Sequence, residues 1–177
     1  MRFLTVLATL CTAVSAIPTT AEVQTKAIVE LWRAYSGSAG DHFYTTDYSE
    51  YNNAVTRLGY SAEGVAAKIY SYQVPNSIPL YRTWSPGASD HFYTTSAPER
   101  DNAVQHLGYV DEGITGYVFA TDKVGGLPAR LVEFYRAYSP GQRDHFYTTS
   151  GPEVDNAVRN LGYTYEGVAC YVFQATK

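Results

Sequence analysis

The sequence predicts a mainly β fold with short helices (α+β), built from three strand-strand-helix-strand repeats and closed with pseudo-threefold symmetry. Three observations predict it. The hexapeptide DHFYTT stands unchanged at Asp41 to Thr46, Asp90 to Thr95 and Asp144 to Thr149. Around it a longer unit, Leu31 to Tyr70, Leu80 to Phe119 and Phe134 to Phe173, aligns three times without gaps. Only the connectors vary, so that His42 and His91 are 49 residues apart and His91 and His145 are 54. A unit of this size cannot bury its apolar face alone, so three must share a core. The end copies are also as regular as the middle one, whereas an open solenoid needs polar capping repeats. Closure would hide the sheet edges. A β-trefoil or a small propeller is the alternative, although a trefoil unit has four strands and no helix.

Within each unit the first segment alternates, with Leu31, Arg33 and Tyr35 on one face and Trp32 and Ala34 on the other, which is a strand pattern. DHFYTT is a second strand. Pro86-Gly87 and Pro140-Gly141 between them are turn chemistry, so the pair forms a hairpin. A helix start follows: Asp47, Ser96 or Ser150 at the cap, with Glu50, Glu99 or Glu153 three residues on and Pro98 and Pro152 in the first turn. The helix carries Ala54, Val55 and Leu58, or their equivalents, and stops at Gly59, Gly108 or Gly162. GVAAKIY, GITGYVF and GVACYVF read as a third strand. The expected organisation is one three-repeat domain over 30–177, with repeats at about 30–79, 80–130 and 131–177, after an N-terminal extension at 17–29.

Residues 1–16 read as a secretory signal peptide: Met1 and Arg2, an apolar run, then AVSA at Ala13 to Ala16. Cleavage is expected after Ala16, with Ala21 as the alternative. The run is too short to span a bilayer, so a soluble, extracellular protein is expected, with no membrane insertion. Its formal charge of −4, which becomes −5 when Arg2 leaves with the leader, argues against nucleic acid as a partner. Cys11 lies in the leader, which leaves Cys170 alone without an internal disulfide. It stands where the other copies have Ala67 and Gly116, a place for a small buried residue.

Candidate ligand-binding residues are the repeated Asp41, Asp90 and Asp144, the histidines His42, His91 and His145, and two sets of aromatic residues. Tyr35, Trp84 and Tyr138 precede the turn, and Tyr44, Tyr93 and Tyr147 follow the histidines. A flat ring with a polar edge suits the apolar face of a pyranose, and an acid beside an imidazole suits adjacent hydroxyls. The structural alternatives are that the aspartates close their own turns and that the tyrosines fill a β core. Histidines meeting on a threefold axis would instead supply three nitrogen ligands for zinc. His106 reads as surface, and Asn53, Asn102 and Asn156 as bonding a loop. Arg33, Arg82 and Arg136 share a strand face with apolar residues and need partners. Glu63, Glu112 and Glu166 are the expected structural ion pairs, with the hexapeptide aspartates as the alternative. No nucleophile motif is present, and the glutamates Glu50, Glu99 and Glu153 are explained by capping. A site tripled by repetition favours binding and avidity over catalysis.

The combination of YR, the turn, DHFYTT, LGY, EG and GYVF resembles a repeat family of bacterial and fungal secreted proteins catalogued as a domain of unknown function. The resemblance covers residues 30 to 174. In that family the repeats look like accessories to secreted hydrolases, including cell-wall-degrading ones, which implies attachment to polysaccharide or cell wall. It supplies no catalytic residues to carry over. Copy one departs from the pattern, with Lys68 where Tyr117 and Tyr171 stand and Gly37 in place of the turn proline. The expected function is a secreted, non-catalytic, lectin-like carbohydrate- or cell-wall-binding protein with up to three sites and no cofactor. A metal-assisted hydrolase and a protein-binding scaffold or effector are the alternatives.

Overall fold

A computed structural model describes residues 28–175. The signal peptide and most of the N-terminal extension read from the sequence lie outside the described residues.

Copy one contains β1 (Ile28–Ser36), β2 (Asp41–Thr45), α1 (Tyr48–Arg57) and β3 (Ser61–Tyr70). Copy two repeats this as β4 (Ser77–Ser85), β5 (Asp90–Thr94), α2 (Ala97–His106) and β6 (Val110–Phe119). Copy three repeats it as β7 (Leu131–Ser139), β8 (Asp144–Thr148), α3 (Gly151–Asn160) and β9 (Thr164–Phe173). The protein is therefore mostly β sheet with three short helices among the described residues. No helix among them is long and apolar enough to cross a membrane.

In each copy the long first strand sits between the short hairpin strand and the last strand, antiparallel to both. The last strands join the copies, each pair through a single antiparallel bridge: Tyr70 with Tyr117, Phe119 with Tyr171, and Lys68 with Phe173. Space is tight at this junction. A Cβ on Gly116 would lie 2.5 Å from Ile69 Cδ1 and 2.8 Å from the Tyr70 carbonyl oxygen. Ala67 and Cys170 occupy the matching positions and are buried, and burial pushes the Cys170 thiol up from its ordinary pKa.

The alternation expected for the first strand holds against β2, which it pairs without a shift, while its pairing with β3 is interrupted twice. Register shifts fall between Leu31 and Trp32 and between Arg33 and Ala34, where Ala66 and Glu63 of β3 are the extra residues; Leu31, Ala34 and Ser36 are buried and Arg33 and Tyr35 half-buried. The hairpin turns each close on a left-handed residue, supplied by Gly40 (φ 71°) in copy one but by Ser89 and Arg143 in the others. The helices follow the cap chemistry: the Asp47 carboxylate accepts from the Ser49 and Glu50 amides, and the chain leaves α1 through Gly59 at φ 79°. The capping glutamates, however, do not reach back to their caps.

Candidate functional site

The first five residues of the hexapeptide each have an assignable task, and most tasks reach into a neighbouring copy. Asp144 is fully buried. It accepts from the His42 amide at 2.8 Å, and its other oxygen lies 2.6 Å from His42 Nδ1. The Tyr163 hydroxyl donates to that same oxygen. Asp41 binds His91 in this way and takes the Tyr60 hydroxyl at 2.6 Å. Asp90 binds His145 and takes the Tyr109 hydroxyl at 2.5 Å. The aspartates thus hold the next hairpin rather than closing their own turns. The Tyr60, Tyr109 and Tyr163 hydroxyls are pushed well above the ordinary tyrosine range by burial and the facing carboxylates, so they remain donors.

The tyrosines two residues on form a second exchange. Tyr44 donates to the Tyr147 carbonyl at 2.6 Å and accepts from the Tyr147 amide at 2.8 Å. Tyr147 does the same to Tyr93, and Tyr93 to Tyr44. A hydroxyl thereby serves the amide and the carbonyl of the tyrosine in each short strand. Tyr44, Tyr93 and Tyr147 are at most 1% exposed. As candidate ligand residues, these tyrosines and the aspartates are corrected to frame residues, because their polar atoms are spent on the protein itself.

A third exchange is ionic. Arg33 donates two hydrogen bonds to Glu153, at 3.1 and 2.8 Å, and its Nε lies 2.9 Å from Glu63. The Nε contact lies off the N–H axis, so it is a charge contact and not a hydrogen bond. Arg82 bridges Glu50 and Glu112, and Arg136 bridges Glu99 and Glu166. Each guanidinium also lies over the phenylalanine of the copy it reaches, 5.4 Å from Phe146 for Arg33. Glu50, Glu99 and Glu153 are accordingly more than capping residues. Burial works against their charge, but hydrogen bonds from the arginine and from Thr45, Thr94 or Thr148 outweigh it and hold these carboxyls below the usual range. A carboxyl lowered in the folded state adds stability above its unfolded pKa, near about 4.3, and loses it as pH falls through the folded value. The urea midpoint is therefore expected to drop once pH goes below about 4, and Glu50→Gln should flatten that slope. An identical slope in the variant would discard this account.

These exchanges frame a cavity of about 380 Å³ between the copy-one hairpin and α3. Tyr35, His42, Glu63, Glu153 and Asn156 line it, with Gln142 and Leu161 at its sides. The carboxylate of Asp144 fixes a proton on His42 Nδ1, which leaves Nε2 on the side of Glu63, 3.9 Å away. Tyr35 packs on the imidazole with centroids 4.4 Å apart, and its hydroxyl bonds Gln142 at 3.1 Å. The ring–imidazole pair recurs at the other two junctions, with Ala39 or Ala88 in the place of Gln142. There Trp84 packs on His91 opposite α1, and Tyr138 packs on His145 opposite α2, each at 4.4 to 4.6 Å. The asparagines are exposed, and Asn156 faces the cavity instead of holding a loop.

The histidines do not meet. The aspartates do: one oxygen from each of Asp41, Asp90 and Asp144 lies within 4.8 Å of the others. Both oxygens of each carboxylate already accept from a histidine amide, an imidazole or a tyrosine hydroxyl. Sequence reasoning missed Tyr60, Tyr109 and Tyr163 as partners; their recurrence in the LGY step was the available signal.

Comparison with known proteins agrees with the internal repetition. Neither the curated proteins nor the solved structures give a match. A family profile matches in two adjacent segments, residues 14–119 and 120–177, the first spanning copies one and two and the second copy three. The chain belongs to that family, described as "Domain of unknown function (DUF5648)".

Proposed function

We propose that the protein is a secreted, non-catalytic carbohydrate- or cell-wall-binding module, with three related shallow pockets on a closed, pseudo-threefold body. The observation that carries the reading is the pocket between the copy-one hairpin and α3, whose ring–imidazole pair recurs at the other two junctions. An aromatic ring stacked on an imidazole faces an asparagine and an arginine-bound carboxylate from the neighbouring helix. The ring offers a face to a pyranose, and the polar groups are already oriented for its hydroxyls. The cyclic sense of the aspartate, tyrosine and arginine exchanges supports the closed arrangement, since every copy gives and receives each bond.

Binding has more support than catalysis. Glu63 and Glu153 are both bound by Arg33, and Glu153 is held below the usual range, which is the wrong direction for a general acid. A metal-assisted hydrolase needed converging histidines, and their Nδ1 atoms are engaged by aspartates.

Screening the mature protein against soluble glycans and insoluble polysaccharides tests the reading. Trp84→Ala, which removes the largest of the three rings, should cost about tenfold at its site, or about 1.4 kcal/mol. Binding to no glycan or wall polymer would sink the proposal.

A further inference from the structure

Copy one departs from its sisters at positions that lie together. Trp32 stands where they have Tyr81 and Tyr135, and Tyr48 where they have Ala97 and Gly151. Tyr51 stands in place of Arg100 and Val154, and Lys68 in place of Tyr117 and Tyr171. The Trp32 ring lies 5.2 Å from Tyr48, edge to face, and 5.1 Å from Tyr51. Tyr51 is buried and backs the indole, whereas Tyr48 is 58% exposed. Trp32, Tyr48 and Lys68 line a groove of about 760 Å³ that continues past Glu30 and Gln174. Glu30 and Lys68 are paired across β1 and β3.

Neither sister copy repeats this arrangement. In copy two the Arg100 guanidinium covers Tyr81 at 4.5 Å, and in copy three the Tyr135 hydroxyl is bound by Glu133. Ala97 and Gly151 also supply no second ring.

We propose that this groove is a separate binding site for a neutral stretch of polysaccharide chain. The rings of Trp32 and Tyr48 present apolar surface to the C–H face of a pyranose. The Glu30 carboxylate, the Lys68 ammonium and the Gln174 amide supply acceptors and donors for hydroxyls. Glu30 and Lys68 cancel in charge, so an uncharged ligand is preferred over an acidic one. The groove is twice the volume of the hairpin cavity and within the usual range for ligand sites, which suits a chain segment more than a terminal sugar. The inference does not depend on the hairpin pockets being occupied.

The protein has only two tryptophans, Trp32 here and Trp84 at a hairpin pocket, so each site carries its own reporter. In Trp84→Phe, titration with cello-, chito- and β-1,3-gluco-oligosaccharides should change Trp32 emission saturably. Trp32→Phe reports the hairpin pocket in the same assay. Tyr48→Ala, which installs the residue copy two carries, should keep the fold by circular dichroism and weaken the Trp32 response at least fivefold. A silent Trp32 with all three ligands overturns the site, whatever Trp84 reports. A silent Trp84 beside a responding Trp32 overturns the pocket at Trp84 and leaves this one standing. A response of Trp32 only to oligogalacturonate would overturn the neutral class, and an undiminished response in Tyr48→Ala would remove the proposed platform.

Discussion

Asp90→Ala is expected to lower the free energy of unfolding by about 3–5 kcal/mol, because it leaves three donors in a buried site unserved at about 1–3 kcal/mol each. Asp90 is fully buried and answers three donors: the His145 amide at 2.9 Å, His145 Nδ1 at 2.6 Å and the Tyr109 hydroxyl at 2.5 Å. Alanine provides none of these acceptors, and the site is closed to bulk water. The cost falls on two copies at once, since Tyr109 belongs to copy two and His145 to copy three. Asp90→Asn keeps one acceptor oxygen and should lose less. Urea unfolding of the three proteins checks this, and an Asp90→Ala midpoint equal to that of the parent protein would show that the aspartate is not structural.

Tyr44→Phe should cost roughly 2–4 kcal/mol, because one lost hydroxyl leaves two buried backbone groups of Tyr147 unserved at about 1–3 kcal/mol each. The ring stays, so packing against Tyr93 and Phe134 is preserved and the loss reports hydrogen bonding alone. Tyr35→Phe is the matched control. Its hydroxyl bonds only the exposed Gln142 side chain, and the change should stay within about 0.5 kcal/mol. Similar losses in both variants would contradict the role given to Tyr44.

Much of the secondary structure was legible because its signals are local. The turn residues at Pro86-Gly87 and Pro140-Gly141, the caps at Asp47, Ser96 and Ser150, and the stops at Gly59, Gly108 and Gly162 act within a few residues of themselves. The bulges beside Trp32 and Ala34 were hidden, because a period of two read along one strand carries no record of what its partner does. Partner choice was hidden for a related reason. Identical copies leave it open whether His42 meets its own Asp41 or Asp144, and only the assembled fold selects the latter. In the candidate site, Tyr35 and His42 face the cavity, while Tyr44 and Asp41 resemble them in the sequence and differ only in burial. The groove at Trp32 was hidden for the opposite cause: it is built from residues that copy one has alone, and the repeat pattern carries only what the copies share.

The exchange of bonds between copies also constrains how this sequence is free to change. Each DHFYTT segment is at once the acceptor for one neighbour and the donor to the other, through Asp41 toward His91 and through His42 toward Asp144. A substitution in one copy therefore needs an answering substitution in another, which single mutations do not supply. The connectors carry no such obligation and differ in length, whereas the three hexapeptides are identical.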